Sequence, residues 1–167
     1  MLYKFKNIAK LLLVIPLLTA TFSCKKICTN QENTTPPFNL DVILSSQGKN
    51  FISFGSLKFR QNSSTAHIIN IGVRVFNLSP NRFYLLQRAV NPITDSTGCS
   101  SNAWLTLGKG LKSATIYTDA LGNGQTALWR DVSSITPGTS FHIHFQVIDS
   151  ASLKTVLMSD CYDYTVR

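Results

Sequence analysis

From Asn39 onward, apolar and polar residues alternate in short runs divided by turn formers, and no ten-residue stretch keeps an apolar period of 3.6. A side-chain period of two buries one face of a sheet rather than one stripe of a helix, so this pattern restricts the chain to strands. The clearest run is His67 to Phe76, with Ile69, Ile71, Val73 and Val75 on one face and Asn70, Gly72 and Arg74 on the other. Arg82–Val90 and Thr139–Asp149 follow the same logic. In the latter, Phe141, Ile143, Phe145 and Val147 point one way, and His142, His144 and Gln146 the other. Further strands are predicted over 40–45, 51–61, 113–118, 124–132, 154–158 and 161–166, with Asn123-Gly124 as a turn between two of them. About eight or nine short strands at this spacing predict an all-β antiparallel β-sandwich. The Gly-, Ser- and Asn-rich stretch 91–112 is expected to be the longest irregular excursion.

The N-terminal segment has a different character. Lys4, Lys6 and Lys10 precede an apolar run from Leu11 to Ala20 that contains Pro16. This is the layout of an export signal, and the run is half of the roughly 20 residues that a spanning helix needs. Small side chains at Thr21 and Ser23 place the cut ahead of Cys24. Thr21-Phe22-Ser23-Cys24 resembles the lipobox of bacterial lipoproteins, with Thr21 where that motif usually has Leu. The resemblance implies that Cys24 becomes a lipid-bearing first residue in the cell envelope. Lys25, rather than an Asp, then favours the outer membrane. Each buried acyl methylene contributes about 0.8 kcal/mol, so more than one chain gives stable anchoring. Residues 25–38 are polar, end in Pro36-Pro37-Phe38 and cannot offset their ordering entropy, which predicts a flexible tether after Cys24. The organisation expected is a signal over 1–23, a lipidated tether over 24–38 and one β-sandwich domain over 39–167.

Charge and cysteine count narrow the class of partner. The formal charge of +8 includes three lysines of the signal; without them 13 basic and 8 acidic side chains remain, dispersed along the chain apart from Lys25-Lys26 beside the anchor. An exported domain with no basic stripe is not expected to bind nucleic acid. Attraction to acidic lipid or polysaccharide is compatible with the residual charge. If Cys24 carries lipid, Cys28, Cys99 and Cys161 remain, and an oxidising compartment favours one bridge among them. Cys28 lies in the tether, so Cys99–Cys161 is the favoured pair. Cys28–Cys161, or Cys28 with another chain, stays open.

Two local signatures sharpen the fold. Leu78-Ser79-Pro80-Asn81-Arg82-Phe83-Tyr84 fits L-x-P-x-x-x-Y and resembles the tyrosine corner of fibronectin type III and related immunoglobulin-like sandwiches. The resemblance implies a crossing between sheets with the Tyr84 hydroxyl bonded to nearby backbone. Ile135-Thr136-Pro137-Gly138-Thr139-Ser140-Phe141 repeats the pattern with Phe in place of Tyr, which predicts a corner resting on packing alone. Thr118-Asp119-Ala120-Leu121-Gly122 and the residues to Trp129 are similar to a turn of bacterial Ig-like modules, in which the Asp and Gly precede an inward-facing strand.

Sequence features that carry chemistry are few. Pro137-Gly138 followed by Phe141-His142-Ile143-His144 resembles a copper-ligand segment of copper–zinc superoxide dismutases. On a strand the two imidazoles project from one face about 7 Å apart at the backbone, near enough to share a metal. The further ligands of those enzymes have no counterpart, since His67 is the chain's one other histidine. Incomplete coordination leaves His142 and His144 a weak metal pair and more simply two exposed polar positions. No G-x-S-x-G elbow or P-loop is present, and Asp160 and Asp163 are neighbours on one strand. Of the aromatics, Trp129 shares a face with Ala127 and is expected in the core, whereas Trp104, beside the Ser/Asn-rich loop, is the candidate binding platform. The function expected is a non-enzymatic, lipid-anchored binding, adhesion or structural module without a cofactor. Its partners would be the membrane and an envelope protein or polysaccharide. The alternatives are a metal or redox protein using His142 and His144, and a subunit assembling by strand exchange.

Overall fold

The structure, a computed structural model, describes residues 38–46, 53–62 and 67–167. The segment expected to be an export signal, Cys24, Cys28 and the expected tether up to residue 37 lie outside the described residues. Within them the protein is all-β, with no helix. In chain order the strands are β1 (Asn39–Ser46), β2 (Phe54–Arg60), β3 (Ile68–Phe76), β4 (Phe83–Pro92), β5 (Leu105–Thr106), β6 (Gly108–Lys109), β7 (Lys112–Ser113), β8 (Ile116–Tyr117), β9 (Gly124–Asp131), β10 (Ser140–Asp149), β11 (Thr155–Ser159) and β12 (Tyr162–Thr165).

The expected two sheets of eight or nine strands give way to one hydrogen-bonded network of 12 strands. Its main path runs β5-β4-β10-β11-β1-β2-β3-β9-β6-β7, with β12 on β10 and β8 on β4. Thr118, directly after β8, bridges to Gly124 at the start of β9. The path therefore returns from β9 through β8 to β4, and the sheet is nearly closed, like a flattened barrel. The extra strands come from the stretch expected to be irregular: β5, β6 and β7 have two residues each. Segments that short carry no readable alternation, and their pairing is set by neighbours rather than by their own pattern.

Inward positions follow period two on β1, β2 and β3: Leu40, Val42, Leu44, Leu57, Phe59, Ile69, Ile71, Val73 and Val75 are all buried. Three rings fasten β2 to the opposite wall. Phe59 meets Tyr164 edge to face at 4.9 Å and Phe145 at 5.6 Å. Edge-to-face contacts of this kind contribute about 0.5–1.5 kcal/mol beyond the area they bury.

The first corner folds against the turn at residues 118–122. Tyr84 is buried, and its hydroxyl donates to the Ser79 carbonyl at 3.4 Å, the bond that the tyrosine-corner resemblance implies. Thr118 is also buried; its hydroxyl donates to the Ser79 carbonyl at 2.8 Å, and its amide to Arg82 at 3.0 Å. Asp119 organises the following turn by accepting from the Leu121 and Asn123 amides at 2.8 and 2.9 Å. Gly122 has φ +78° and lies so close to the Leu78 carbonyl that a Cβ would stand 2.0 Å from its oxygen. Only glycine fits both demands. The second corner is held by more than packing. The Gly138 amide donates to Val166 at 2.8 Å, and the Val166 amide to Thr139 at 2.9 Å, so the C-terminal residues supply what the missing hydroxyl does not.

Candidate functional site

Strand β10 departs from simple alternation. Its residues from Ile143 to Ile148 are all buried, on both faces. The inner face meets the core; the outer face lies under the segment that follows β4. Cys99 and Cys161 are joined across 62 residues, with Cα atoms 5.5 Å apart, which ties this strap to the chain just before β12. Asn91, buried at the end of β4, donates to Asp95 at 2.9 Å and to Ser100 at 3.0 Å, and accepts from the Ser101 amide at 2.9 Å.

His144 is therefore not an exposed polar position. It is buried, its Nε2 lies 3.1 Å from the Ser101 carbonyl, and the Trp104 ring stacks on it at 4.6 Å. An oxygen that only accepts fixes the proton on Nε2. His142 is partly buried, with its Nδ1 2.6 Å from Asp163 on the neighbouring β12. Gln146 continues the row, donating to Gln87 at 2.7 Å and accepting from Thr155 at 2.7 Å. The row is a polar ladder whose middle member, His144, is covered by the strap. Carboxylate or carbonyl partners of this kind orient imidazoles around metals, but they equally orient buried structural histidines. Among the described residues no group of three or more His, Cys, Asp or Glu side chains converges to hold an ion. No hydroxyl bonds the Asp163–His142 pair among them, so no nucleophile is aligned there.

The aromatics exchange places relative to expectation. Trp104 is half-buried as the lid on His144. Trp129, expected in the core, is 40% exposed. The inward face of β9 carries Leu128 and Arg130, and Ala127 and Trp129 point outward. Gly110 lies beneath the indole, where a Cβ would come within 2.6 Å of the ring, and donates its amide to the Trp129 carbonyl at 2.9 Å. An open cleft of about 430 Å³ lies beside this ring, lined by Leu111, Arg130, Asp131, Ser133 and Ser134 among others.

A second cavity, about 60 Å³, adjoins the cleft through Arg130, Asp131 and Ser134 and reaches inward to Phe59, Phe141 and Tyr164. Arg88 of β4 lines it together with Arg130. Arg88 follows Tyr84 and Leu86 on the inward face, a cation on an otherwise apolar stripe. Burial and the neighbouring Arg130 charge both lower its pKa. Among the described residues neither guanidinium makes a hydrogen bond or ion pair. Among the described residues no buried side-chain nitrogen lacks a partner, so the unbonded Arg88 nitrogens are not sealed from solvent. The position was readable in the Tyr84-x-Leu86-x-Arg88-x-Val90 alternation, but the site was not, because Arg130 lies 42 residues further along the chain.

The sheet register places these features. Asn39 pairs with Arg60, Arg60 with Asn70, and Asn70 with Trp129. The Trp129 cleft thus lies at the end of the sheet where β1 begins. The chain matches no protein-family model, no curated protein and no solved structure.

Proposed function

We propose that the chain is a lipid-anchored, non-enzymatic module of the bacterial cell envelope, exported by residues 1–23, tethered through Cys24 and presenting a β domain for binding. The finer fold in this reading is an immunoglobulin- or fibronectin-like sandwich whose sheets have joined at their edges, with the tyrosine corner at Leu78–Tyr84 as its mark. The observation that carries the binding role is the half-exposed Trp129 beside an open cleft that contains Arg130. An indole displayed next to a cation, on a domain whose core is otherwise closed, suits recognition of a ligand rather than packing. The histidine face supports the same division of labour: both rings are already bonded within the fold. Strand exchange needs a long open edge, whereas the terminal strands of the path, β5 and β7, have two residues each.

Fractionation of cells that produce the full chain tests the anchoring half of this reading. Wild type should sediment with the membrane and Cys24→Ala should move to the soluble envelope fraction. An unchanged distribution of Cys24→Ala would overturn it.

A further inference from the structure

Two arginines that share a cavity with a single carboxylate pose an electrostatic problem. Like charges held close together repel, and partial burial strips part of a guanidinium's hydration. In this fold Arg60 does have a partner, Asp41, as well as a 2.6 Å bond to the Leu40 carbonyl. Arg88 and Arg130 have neither among the described residues. The one carboxylate that lines their cavity, Asp131, accepts the Ser133 amide at 2.7 Å and also feels the Arg130 charge, and it can offset only one of the two cations. With two guanidiniums to one carboxylate, the arrangement keeps an excess of positive charge.

The dimensions say what kind of anion fits. The inner cavity, at about 60 Å³, admits a carboxylate-sized group and cannot hold an acyl chain, because Phe59, Ile143 and Tyr164 fill the core beyond it. The body of the ligand must then lie in the adjoining cleft of about 430 Å³, against the exposed Trp129 ring and beside the hydroxyls of Ser133 and Ser134. An indole face next to hydroxyl groups suits a ring that is apolar on its flat side and polar around its rim. Guanidinium groups suit a carboxylate, which they bind in a two-point fork.

We infer that Arg88 and Arg130, with Trp129, form a binding site for a carboxylate-bearing sugar, the repeating unit of an acidic polysaccharide. The carboxylate enters between the two guanidiniums, and the pyranose ring lies on the indole. The site rests on the reading of the domain as a binding module, but not on the lipid anchor, so the two fail separately.

Calorimetric titration of the full chain in non-ionic detergent tests the site, with digalacturonate as the probe and neutral α-1,4-galactobiose and laurate as controls. Digalacturonate should bind at least tenfold more tightly than the neutral disaccharide. Arg130→Gln and Trp129→Ala should each weaken it at least tenfold while the melting temperature stays within a few degrees. Arg88→Met should do the same; should that variant fail to fold, Arg130→Gln decides the matter. Equal affinity for the acidic and neutral sugars, wild-type binding by Arg130→Gln, or tighter binding of laurate than of digalacturonate would each overturn the proposal. Absence of any digalacturonate binding would overturn it too, and would leave the result of the Cys24→Ala fractionation standing.

Discussion

Gln61 is the polar residue on which the closure of the domain depends most, and its replacement makes a sharp test of the packing described above. It is fully buried just after β2, and its Oε1 accepts from the Tyr164 hydroxyl at 2.7 Å and from the Arg167 amide at 2.8 Å. Its Nε2 donates to the Arg167 carbonyl at 3.3 Å. One side chain thereby joins β2 to the C-terminal strand across 103 residues. Gln61→Leu preserves the volume and the backbone bonds but leaves a buried hydroxyl and a partly buried amide without acceptors. Each orphaned group costs about 1–3 kcal/mol, and the extra apolar burial of leucine returns about 1 kcal/mol, so a net loss of about 3 kcal/mol is expected. Tyr164→Phe removes the donor while Gln61 keeps Arg167, and should cost about 1 kcal/mol. In the double variant no hydroxyl is stranded. Its loss should fall short of the sum of the singles by about 1–2 kcal/mol, because residues in one hydrogen-bond network are not additive. Urea denaturation of the four proteins measures the cycle directly. Additive losses, or a Gln61→Leu loss under 1 kcal/mol, would refute the claim that this bond network closes the sheet.

Three further outcomes follow from the strap and its surroundings. Removing the bridge with Cys99→Ser and Cys161→Ser frees a loop closed across 62 residues, which on chain-entropy grounds lowers stability by about 4 kcal/mol; an unchanged denaturation midpoint would contradict it. Hydrogen bonds hold three carboxyls, one in a turn and two at strand ends, below the usual carboxylate range: Thr97 acts on Asp95, the Ser133 amide on Asp131 and the Ser152 amide on Asp149. Their contribution is present above the unfolded value of about 3.9 and is lost as pH falls through the lower folded values. Carboxyl titration by NMR should give midpoints under that value, and midpoints above it would be inconsistent with the turns described. Metal analysis of the protein after incubation with copper or zinc should find no stoichiometric ion lost on His142→Ala/His144→Ala. A retained equivalent that disappears in that variant would restore the metal reading.

Strand existence was legible wherever one face of a strand meets solvent. The run Ile69, Ile71, Val73, Val75 named its own core face, and β3 covers Ile68–Phe76. The corner at Tyr84 and the turn at Asp119 and Gly122 were readable because glycine, proline and a buried tyrosine each answer a specific backbone demand. Alternation misled where a second layer intervened. His142, His144 and Gln146 have the pattern of a solvent face, yet the strap covers His144 while neighbouring strands bond the other two, and nothing in local periodicity reports a segment folding over from 40 residues away. Trp129 misled for a different reason: Ala127 is small enough to sit on either face, so the pair did not fix which one is inward. The cavity site was invisible for want of contact information, since Arg88 and Arg130 become neighbours only when the sheet curls to bring β4 and β9 around a common core.

We propose that lipid on Cys24 holds the β domain at the cell envelope. Intact-mass analysis of the mature protein, purified from the membrane of its own host, tests it most directly. The expected mature chain begins at Cys24 and carries the mass of attached acyl chains. A mature chain with an unmodified Cys24, or one cut at any other residue, would contradict it.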